Sequence, residues 1–264
     1  IASLVLAFCV AAVLIGGVKR IASVSQIIVP FMAVIYIVFV LVLVVCNITA
    51  VPAAFATIVK AAFSPKAITG GAVGSFLVAM QKGVARGIFS NEAGLGSAPI
   101  AAAAAQTKEP VRQGLVSMTG TFIDTIVICT LTGLSIVLTG AWQVDGLEGV
   151  QVTTYAFQNG LPLPKELSAF VLMLCLVFFA FTTILGWDYY SERCLEYLSG
   201  GRMKYVKVYR WIYILAVFIG PYMTVSAVWT IADIFNGLMA LPNMIALFAL
   251  SGVVVKETKH FFER

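Results

Sequence analysis

The sequence has little charge, a single histidine and no recognisable catalytic motif. Asp, Glu, Lys and Arg make up only 11% of its 264 residues, far less than in an ordinary soluble domain. The histidine, His260, lies near the C-terminal end, which excludes a histidine base or a histidine zinc site in the apolar part of the chain. Neither a G-x-S-x-G turn nor a G-x-x-x-x-G-K-[S/T] phosphate loop is present. We therefore predict neither an enzyme nor an ATP-driven pump. A hydrolase using Asp124 and Asp188 is disfavoured, because the sequence places them on different helices at different depths.

Cysteine pairs and basic patches are lacking too. The five cysteines are scattered and include no C-x-x-C, so they indicate small buried apolar side chains rather than disulfides or a metal site. The net charge of +5 comes from bases in short segments between apolar runs, not from one patch. We expect no nucleic-acid partner.

Long apolar runs dominate the chain. Hydrophobic residues make up 61% of it, and the mean hydropathy of +1.00 predicts an all-α polytopic protein in a lipid bilayer. The predicted spans are about 2–17, 26–46 with Pro30 in its first turn, 72–106, 112–138, 166–190, and two crossings within 205–255 broken at Gly220-Pro221 and Pro242. Residues 52–63, with Phe55 and Phe63 on one face, predict an interfacial amphipathic helix, and 140–165 predicts a loop. The chain opens in an apolar run without Met, which we interpret as a truncated span.

The span at 72–106 contains a run that disfavours a helix. Three glycines lower helix propensity, and three polar residues prefer to bond nearby backbone outside a helix. These residues are Gly87, Gly94, Gly96, Ser90, Asn91 and Glu92. Ser97 is typical of an N-cap, with Pro99 in the first turn that follows. We predict half-helices at about 72–88 and 97–106, joined by unwound backbone near 88–97. Such a break survives in a membrane only if it is buried in protein or lines a cavity.

This run resembles the signature of the sodium:alanine symporter family. The matching residues are R-G-I-F-S-N-E-A-G-L-G-S-A-P at 86–99, P-V-R-Q-G-L-V at 110–116, F-I-D-T at 122–125, F-A-F-T-T-I-L-G-W-D-Y-Y-S-E-R at 179–193 and N-G-L-M-A-L-P-N at 236–243. The resemblance implies a leucine-transporter-type fold of two inverted five-helix repeats. It implies that 1–50 holds the last two helices of the first repeat, 51–71 an extracellular helix and loop, 72–255 the second repeat and 256–264 a cytoplasmic tail. The first helices, which supply half of the sites in this fold, would then be missing.

The run also supplies candidate substrate-binding residues. Gly94 and Gly96 permit close approach of a small neutral amino acid to the main chain. Phe89 is either a lid over the substrate or a bulky side chain that faces lipid. Ser90 and Asn91 either bind substrate or form hydrogen bonds with the unwound backbone.

Four ionisable residues are predicted within the membrane: Lys82, Arg86, Glu92 and Asp124. Such groups are expensive there and are usually paired. We predict that Arg86 pairs with Glu92 or Asp124, either as a structural ion pair or with a role in ion transport.

Thr182 and Thr183 lie past the predicted midplane of the span at 166–190. Adjacent hydroxyls in a helix often bond the carbonyl four residues back. The resemblance implies the alternative, because paired hydroxyls on the eighth helix of this fold help to hold sodium, a hard cation that prefers oxygen ligands. Trp187, one turn after Thr183, is predicted to line the same cavity.

Basic residues favour one side of the predicted membrane. The segments 17–24, 107–112, 191–210 and 256–264 hold most of them, whereas the opposite side keeps Lys60, Lys66 and Lys165. The positive-inside rule therefore predicts a multi-pass protein of the plasma (inner) membrane with a cytoplasmic C-terminus.

Together these features predict sodium-coupled symport of alanine or glycine by alternating access, with sodium as the co-transported ion and no organic cofactor. Two alternatives stay open at this point: a proton-coupled amino-acid transporter in which Glu92 or Asp124 titrates, and a channel or structural subunit without a coupled cycle.

Overall fold

A computed structural model describes residues 2–62 and 72–263 of the chain. Within those ranges the protein is helical and contains no β-strand. The α-helices are α1 (Ala2–Leu14), α2 (Gly17–Cys46), α3 (Val51–Ala62), α4 (Ala72–Asn91), α5 (Ala98–Ala102), α6 (Pro110–Phe122), α7 (Thr130–Leu138), α8 (Val150–Gly160), α9 (Lys165–Leu198), α10 (Met203–Ile219) and α11 (Val225–Phe262). A π-helical segment, Ile123–Cys129, joins α6 to α7 without a break.

Four of the described helices are long and apolar enough to cross a membrane: Lys19–Cys46, Pro110–Leu138, Lys165–Leu198 and Val225–Phe262. They coincide with spans predicted from the sequence, and the break at Gly220-Pro221 is confirmed as a short 3-10 turn between α10 and α11. The short helix predicted at 52–63 is also confirmed, as Val51–Ala62. Phe63 and Lys66 lie outside the described residues.

Several predicted boundaries are wrong, in each case because a helix continues further than expected. Pro242 does not break the last span but lies inside α11, and Pro30 lies in the middle of α2 rather than in its first turn. α9 runs eight residues past 190 to Leu198, so 191–210 is not one loop. The basic segment 17–24, predicted as a loop between the first two spans, is helical as well, because α2 begins at Gly17. Residues 140–165 contain a helix, α8, where only a loop was predicted.

The chain divides into two compact units. The first unit comprises the described residues of Ile1–Ala11, Gln81–Thr125 and Trp187–Arg264, and the second comprises those of Ala12–Met80 and Ile126–Gly186. The second unit has an apolar core in which α2 packs against α7 and α8. Tyr36 lies in this core, stacked on Phe157 at a centroid distance of 5.9 Å and edge-on to Phe179 at 6.0 Å. Its hydroxyl shares a 2.6 Å hydrogen bond with the hydroxyl of Thr132.

Gly160 sets how closely α8 approaches α2 in this unit. A Cβ at that position would lie 2.7 Å from Cγ of Leu43 and 2.8 Å from Cγ2 of Thr139. The Gly160 carbonyl accepts a 3.1 Å hydrogen bond from the side-chain amide of Asn47, at the C-terminal end of α2. The absence of a side chain therefore permits the contact that joins the ends of these two helices.

Candidate functional site

The predicted interruption in the first unit is confirmed, but it begins later than expected. α4 continues through Asn91, and the non-helical segment runs from Glu92 to Ser97. Three residues of this segment adopt left-handed backbone conformations: Glu92 (φ 51°), Gly94 (φ 74°) and Gly96 (φ 80°). We call residues 92–97 the hinge segment. Non-glycine residues rarely adopt left-handed backbone angles. The contacts around Glu92 therefore override the conformational preference of this residue.

Both flanking helices differ from the prediction. Asn91 stays helical, and its side-chain amide donates to the Gly87 carbonyl one turn earlier, at 3.2 Å. The second half-helix is only Ala98–Ala102, shorter than the predicted 97–106. Ser97 precedes it as expected, but its side chain makes no capping hydrogen bond. Instead the Ser97 hydroxyl donates to a carboxylate oxygen of Glu92 at 2.7 Å.

Asn243 of α11 contacts the hinge segment directly. Its side-chain amide donates a 2.9 Å hydrogen bond to the Gly94 carbonyl. A Cβ on Gly96 would lie 3.0 Å from Oδ1 of Asn243. The hinge segment therefore needs glycine at 96 for two reasons, its left-handed backbone and the closeness of α11.

A polar cavity of about 360 Å³ opens beside the hinge segment. It brings together four residues predicted from the sequence, Ser90, Asn91, Glu92 and Asp124, and adds Tyr190 of α9. The Ser90 hydroxyl donates a short hydrogen bond to Asp124, and the Thr125 hydroxyl donates to the side-chain oxygen Oδ1 of Asn91 at 2.9 Å. This volume lies at the small end of ligand pockets, which typically measure about 300–1,000 Å³. The cavity suits a compact, polar ligand.

The carboxylates at this cavity already accept hydrogen bonds from neutral donors. Glu92 accepts from Ser97 and, at 3.4 Å, from the Tyr190 hydroxyl, while Asp124 accepts from Ser90. No Lys or Arg is among the cavity's lining residues. The cavity therefore presents carboxylate oxygens that can receive a positively charged group, such as the ammonium of an amino acid, or a cation.

A second cavity of about 630 Å³ is lined by Leu95, Gly96 and Ser97 of the same segment. Gly96 and Trp187 both line it, so these two predicted residues meet in the structure. Tyr190 lines both cavities, and its ring contacts the Trp187 ring edge-on at a centroid distance of 5.7 Å. Tyr190 therefore lies where the two spaces approach each other.

The predicted pairing of Arg86 is wrong. Arg86 pairs with Asp233 of α11 rather than with Glu92 or Asp124, through two hydrogen bonds of 3.0 and 3.1 Å. Its guanidinium also lies 3.8 Å from the centroid of the Trp229 ring, a cation–π contact. The sequence could not indicate this pair, because Asp233 follows Arg86 by 147 residues and several carboxylates were available.

Phe89 packs on the same tryptophan. The Phe89 and Trp229 rings meet edge-on at a centroid distance of 5.3 Å. The side chain is half-buried, so it is not simply lipid-facing bulk. Its role as a lid over the substrate stays a prediction.

The two threonines lie in the second unit, on α9. The Thr182 hydroxyl donates to the carbonyl of Phe178 at 3.0 Å and lies 3.2 Å from that of Phe179, which is the helix-bonded alternative stated above. No such bond is found for Thr183 among the described residues. The sodium role of this pair stays a prediction.

Four residues of the first unit were missed at the sequence level: Asn243, Tyr190, Asp233 and Trp229. Tyr190 and Asn243 both stand inside motifs that carry the family resemblance, so the motifs themselves were a usable signal. Asp233 and Trp229 lie outside those motifs. Only their helical spacing, four residues apart on α11, relates them to each other.

Comparison with known proteins places the sequence among transporters. The model of the sodium:alanine symporter family matches residues 1–264. The chain is 54% identical over its whole length to an uncharacterized transporter of Haemophilus influenzae, covering 57% of that protein. It is 49% identical over its whole length to the sodium/alanine symporter AgcS of Methanococcus maripaludis, again covering 57% of it. Over 94% of its length it is 41% identical to the probable sodium/glutamine symporter GlnT of Bacillus subtilis, covering 51% of that protein. The chain thus spans slightly more than half the length of these relatives.

Proposed function

We propose that this chain, which belongs to the sodium:alanine symporter family, forms part of an integral membrane protein that carries a small neutral amino acid together with sodium. Alanine and glycine are the substrates we favour. The observation that carries the proposal is the polar cavity at the hinge segment, since a helix interruption at membrane depth needs a compensating role. Relatives named for alanine and for glutamine indicate that side-chain preference varies in the family.

The size and chemistry of the cavity support a small zwitterion as the ligand. Glu92 and Asp124 offer carboxylate oxygens to an ammonium group, and Asn91 offers a side-chain amide. Gly96 lines the second cavity, and the Gly94 carbonyl accepts from Asn243, so both glycines lie beside the polar cavity without lining it. We assign substrate contact to Phe89, Ser90, Asn91, Gly94, Gly96, Thr183 and Trp187.

The proposed architecture is that of two inverted five-helix repeats. Residues 1–50 would supply the last two helices of the first repeat, and 72–255 the second, which contains the hinge segment. Sodium and substrate would stabilise a closed state around this segment, and one helix bundle would rock against another to give alternating access. Helices outside this chain would complete both sites.

The proposed orientation places the C-terminus in the cytoplasm. Lys204, Lys207 and Arg210 lie in the first turns of α10, and Lys256 and Lys259 near the end of α11, consistent with basic ends facing inward. In a background without the native cysteines, Asp145→Cys should react with an impermeant thiol reagent from outside, whereas Lys204→Cys should not. The reverse labelling would contradict this orientation.

The sodium site is proposed at Thr182 and Thr183. Because the Thr182 hydroxyl is bonded within its helix, Thr183 is the more available ligand, and the two side chains point about 100° apart. Removal of the decisive hydroxyl should raise the sodium concentration needed for half-maximal uptake. Saturating sodium should restore much of the apparent substrate affinity, because binding linkage is reciprocal.

The test is alanine uptake by the complete gene product across a sodium titration. We expect Thr183→Val to shift the sodium dependence about tenfold or more and Thr182→Val to shift it less. Thr154→Val is the matched control, since the Thr154 hydroxyl bonds its own helix on α8. Uptake that is unaffected by sodium but follows a proton gradient would support proton coupling through Glu92 or Asp124. Flux that is never concentrative would support a channel.

A further inference from the structure

Asp188, on α9, is a fully buried carboxylate without a hydrogen-bond partner. The residue is 0% exposed, and neither carboxylate oxygen has a donor within reach among the described residues. A buried charge without compensation is strongly unfavourable, and in proteins it is neutralised by a partner, a cation or a proton. The chain itself covers Asp188 completely, so no group outside the chain can reach it in this conformation.

Among the described residues, the positive charge that interacts with Asp188 is that of Arg210, which is already engaged. Glu192, one turn later and 1% exposed, accepts hydrogen bonds of 2.6 and 2.9 Å from Nε and Nη2 of Arg210. Asp188 interacts electrostatically with both members of this pair. Tyr209 and Tyr213 face it from α10. The cluster therefore holds two carboxyl groups and one guanidinium, which leaves one negative charge too many for its burial.

We propose that Asp188 is a proton-binding site, separate from the polar cavity at the hinge segment and from the threonine pair Thr182 and Thr183. A bound proton removes the excess charge and turns the carboxyl into a donor that can face Glu192. A metal ion fits less well, because both Glu192 oxygens are occupied by Arg210. In addition, no group of three or more His, Cys, Asp or Glu residues in the described part of the chain could hold one.

The second cavity comes close to Asp188 without being lined by it, so a proton passes between the two when the helices around Asp188 open locally. Trp187, Ser191 and Tyr209, which lie beside Asp188 in the chain or face it, all line this space of about 630 Å³. The proton comes from water and returns to water, and no other group is oxidised, reduced or transferred. Loss of the proton leaves a net negative charge between α9 and α10, which weakens their packing. Protonation is thus coupled to the position of α9, the helix that also carries Thr183 and Trp187.

Infrared spectroscopy of the purified complete gene product tests this proposal without any transport measurement. At neutral pH we expect a carbonyl stretch from a protonated carboxylic acid that shifts when aspartate is labelled with ¹³C. Asp188→Asn should abolish it, whereas Asp145→Asn, which replaces an exposed loop aspartate, should not. The isotope shift in the wild-type protein needs no variant and therefore stays informative if Asp188→Asn does not fold. A band that is absent at neutral pH, is insensitive to the label or survives in Asp188→Asn would overturn the proposal.

A second readout shows whether the site acts on transport. Where Asp188 titrates, apparent alanine affinity of the wild-type protein should change by up to about tenfold per pH unit, the limit for one linked proton. Asp188→Asn, which mimics the protonated carboxyl, should lose this dependence and keep its sodium dependence. A variant that keeps the wild-type pH profile would contradict the coupling. Uptake by the wild-type protein that does not depend on sodium, together with an infrared band that behaves as expected, would count against the proposed sodium symport and leave the proton site supported.

Discussion

Both units contain hydroxyl groups that bond to their own helices, but among the described residues polar side chains connect distant helices more often in the first unit than in the second, where Tyr36–Thr132 and Asn47–Gly160 do so. Thr132, Ser135 and Thr139 each donate to the carbonyl four residues earlier, and apolar side chains join the helices. In the first unit, by contrast, the contacts between helices include Arg86–Asp233, Thr125–Asn91, Tyr190–Glu92, Arg210–Glu192 and Asn243–Gly94.

We propose that this difference separates a mainly structural region from one that contributes to transport. Apolar side chains can face lipid and need no hydrogen-bond partner. Polar groups in a membrane are energetically unfavourable unless each has a hydrogen-bond or charge partner. A unit that accumulates such groups beside a helix interruption therefore has a role that packing alone does not explain. The comparison predicts that single polar substitutions will have larger and more specific effects in the first unit than in the second.

The largest effect is expected at the Arg210–Glu192 pair. Arg210→Met leaves the Glu192 carboxylate buried without its partner, which should cost about 3–5 kcal/mol of stability. The measurement is thermal or denaturant unfolding of the purified complete gene product in detergent.

Arg193→Met is the matched control for Arg210→Met. Arg193 pairs with Glu196 on the same helix, and both side chains are 33% exposed, so its loss should cost less than about 1 kcal/mol. Equal destabilisation by the two variants would show that burial of the pair does not decide its contribution to stability.

An intermediate effect is expected at Gly96. Gly96→Ala forces a left-handed alanine and places its Cβ against Asn243, which should cost about 1–3 kcal/mol and greatly reduce uptake. Gly87→Ala is the matched control, because Gly87 lies in α4 with open space around its Cβ position, and should be neutral or slightly stabilising. Normal uptake by Gly96→Ala would argue against a role for the hinge segment at the substrate.

Much of this fold follows from hydrophobic length and from local helix breakers. The spans at 112–138 and 166–190 and the turn at Gly220-Pro221 were predicted because each depends on neighbouring residues alone. Pro242 misled the prediction, because a long membrane helix can keep a proline when its surroundings satisfy the freed carbonyl. Ser90 and Asn91 misled it similarly, since their partners Asp124 and Thr125 hold them in α4.

The contacts that define the site were harder to predict than its location. Glycines and polar residues placed the interruption within a few residues of where it lies. The sequence could not show that Asn243 holds Gly94, 149 residues away, or that Arg86 prefers Asp233. Such pairs depend on which helices become neighbours, and periodicity within one helix carries no information about that choice.

The smallest effects on stability are expected for two tyrosine variants, one from each unit. Tyr36→Phe removes a 2.6 Å hydrogen bond, but Thr132 still donates to the Ile128 carbonyl, so the loss should be about 1 kcal/mol with unchanged sodium-dependent uptake. Tyr190→Phe removes only a 3.4 Å hydrogen bond to Glu92, and its effect on stability should be smaller still. Uptake should nevertheless fall, because the Tyr190 hydroxyl helps to set the charge environment of the polar cavity. Unfolding and uptake are to be measured on both variants, because Tyr36→Phe should lose more stability and Tyr190→Phe more uptake. If Tyr36→Phe impairs uptake as much as Tyr190→Phe does, the functional contrast between the two units is wrong.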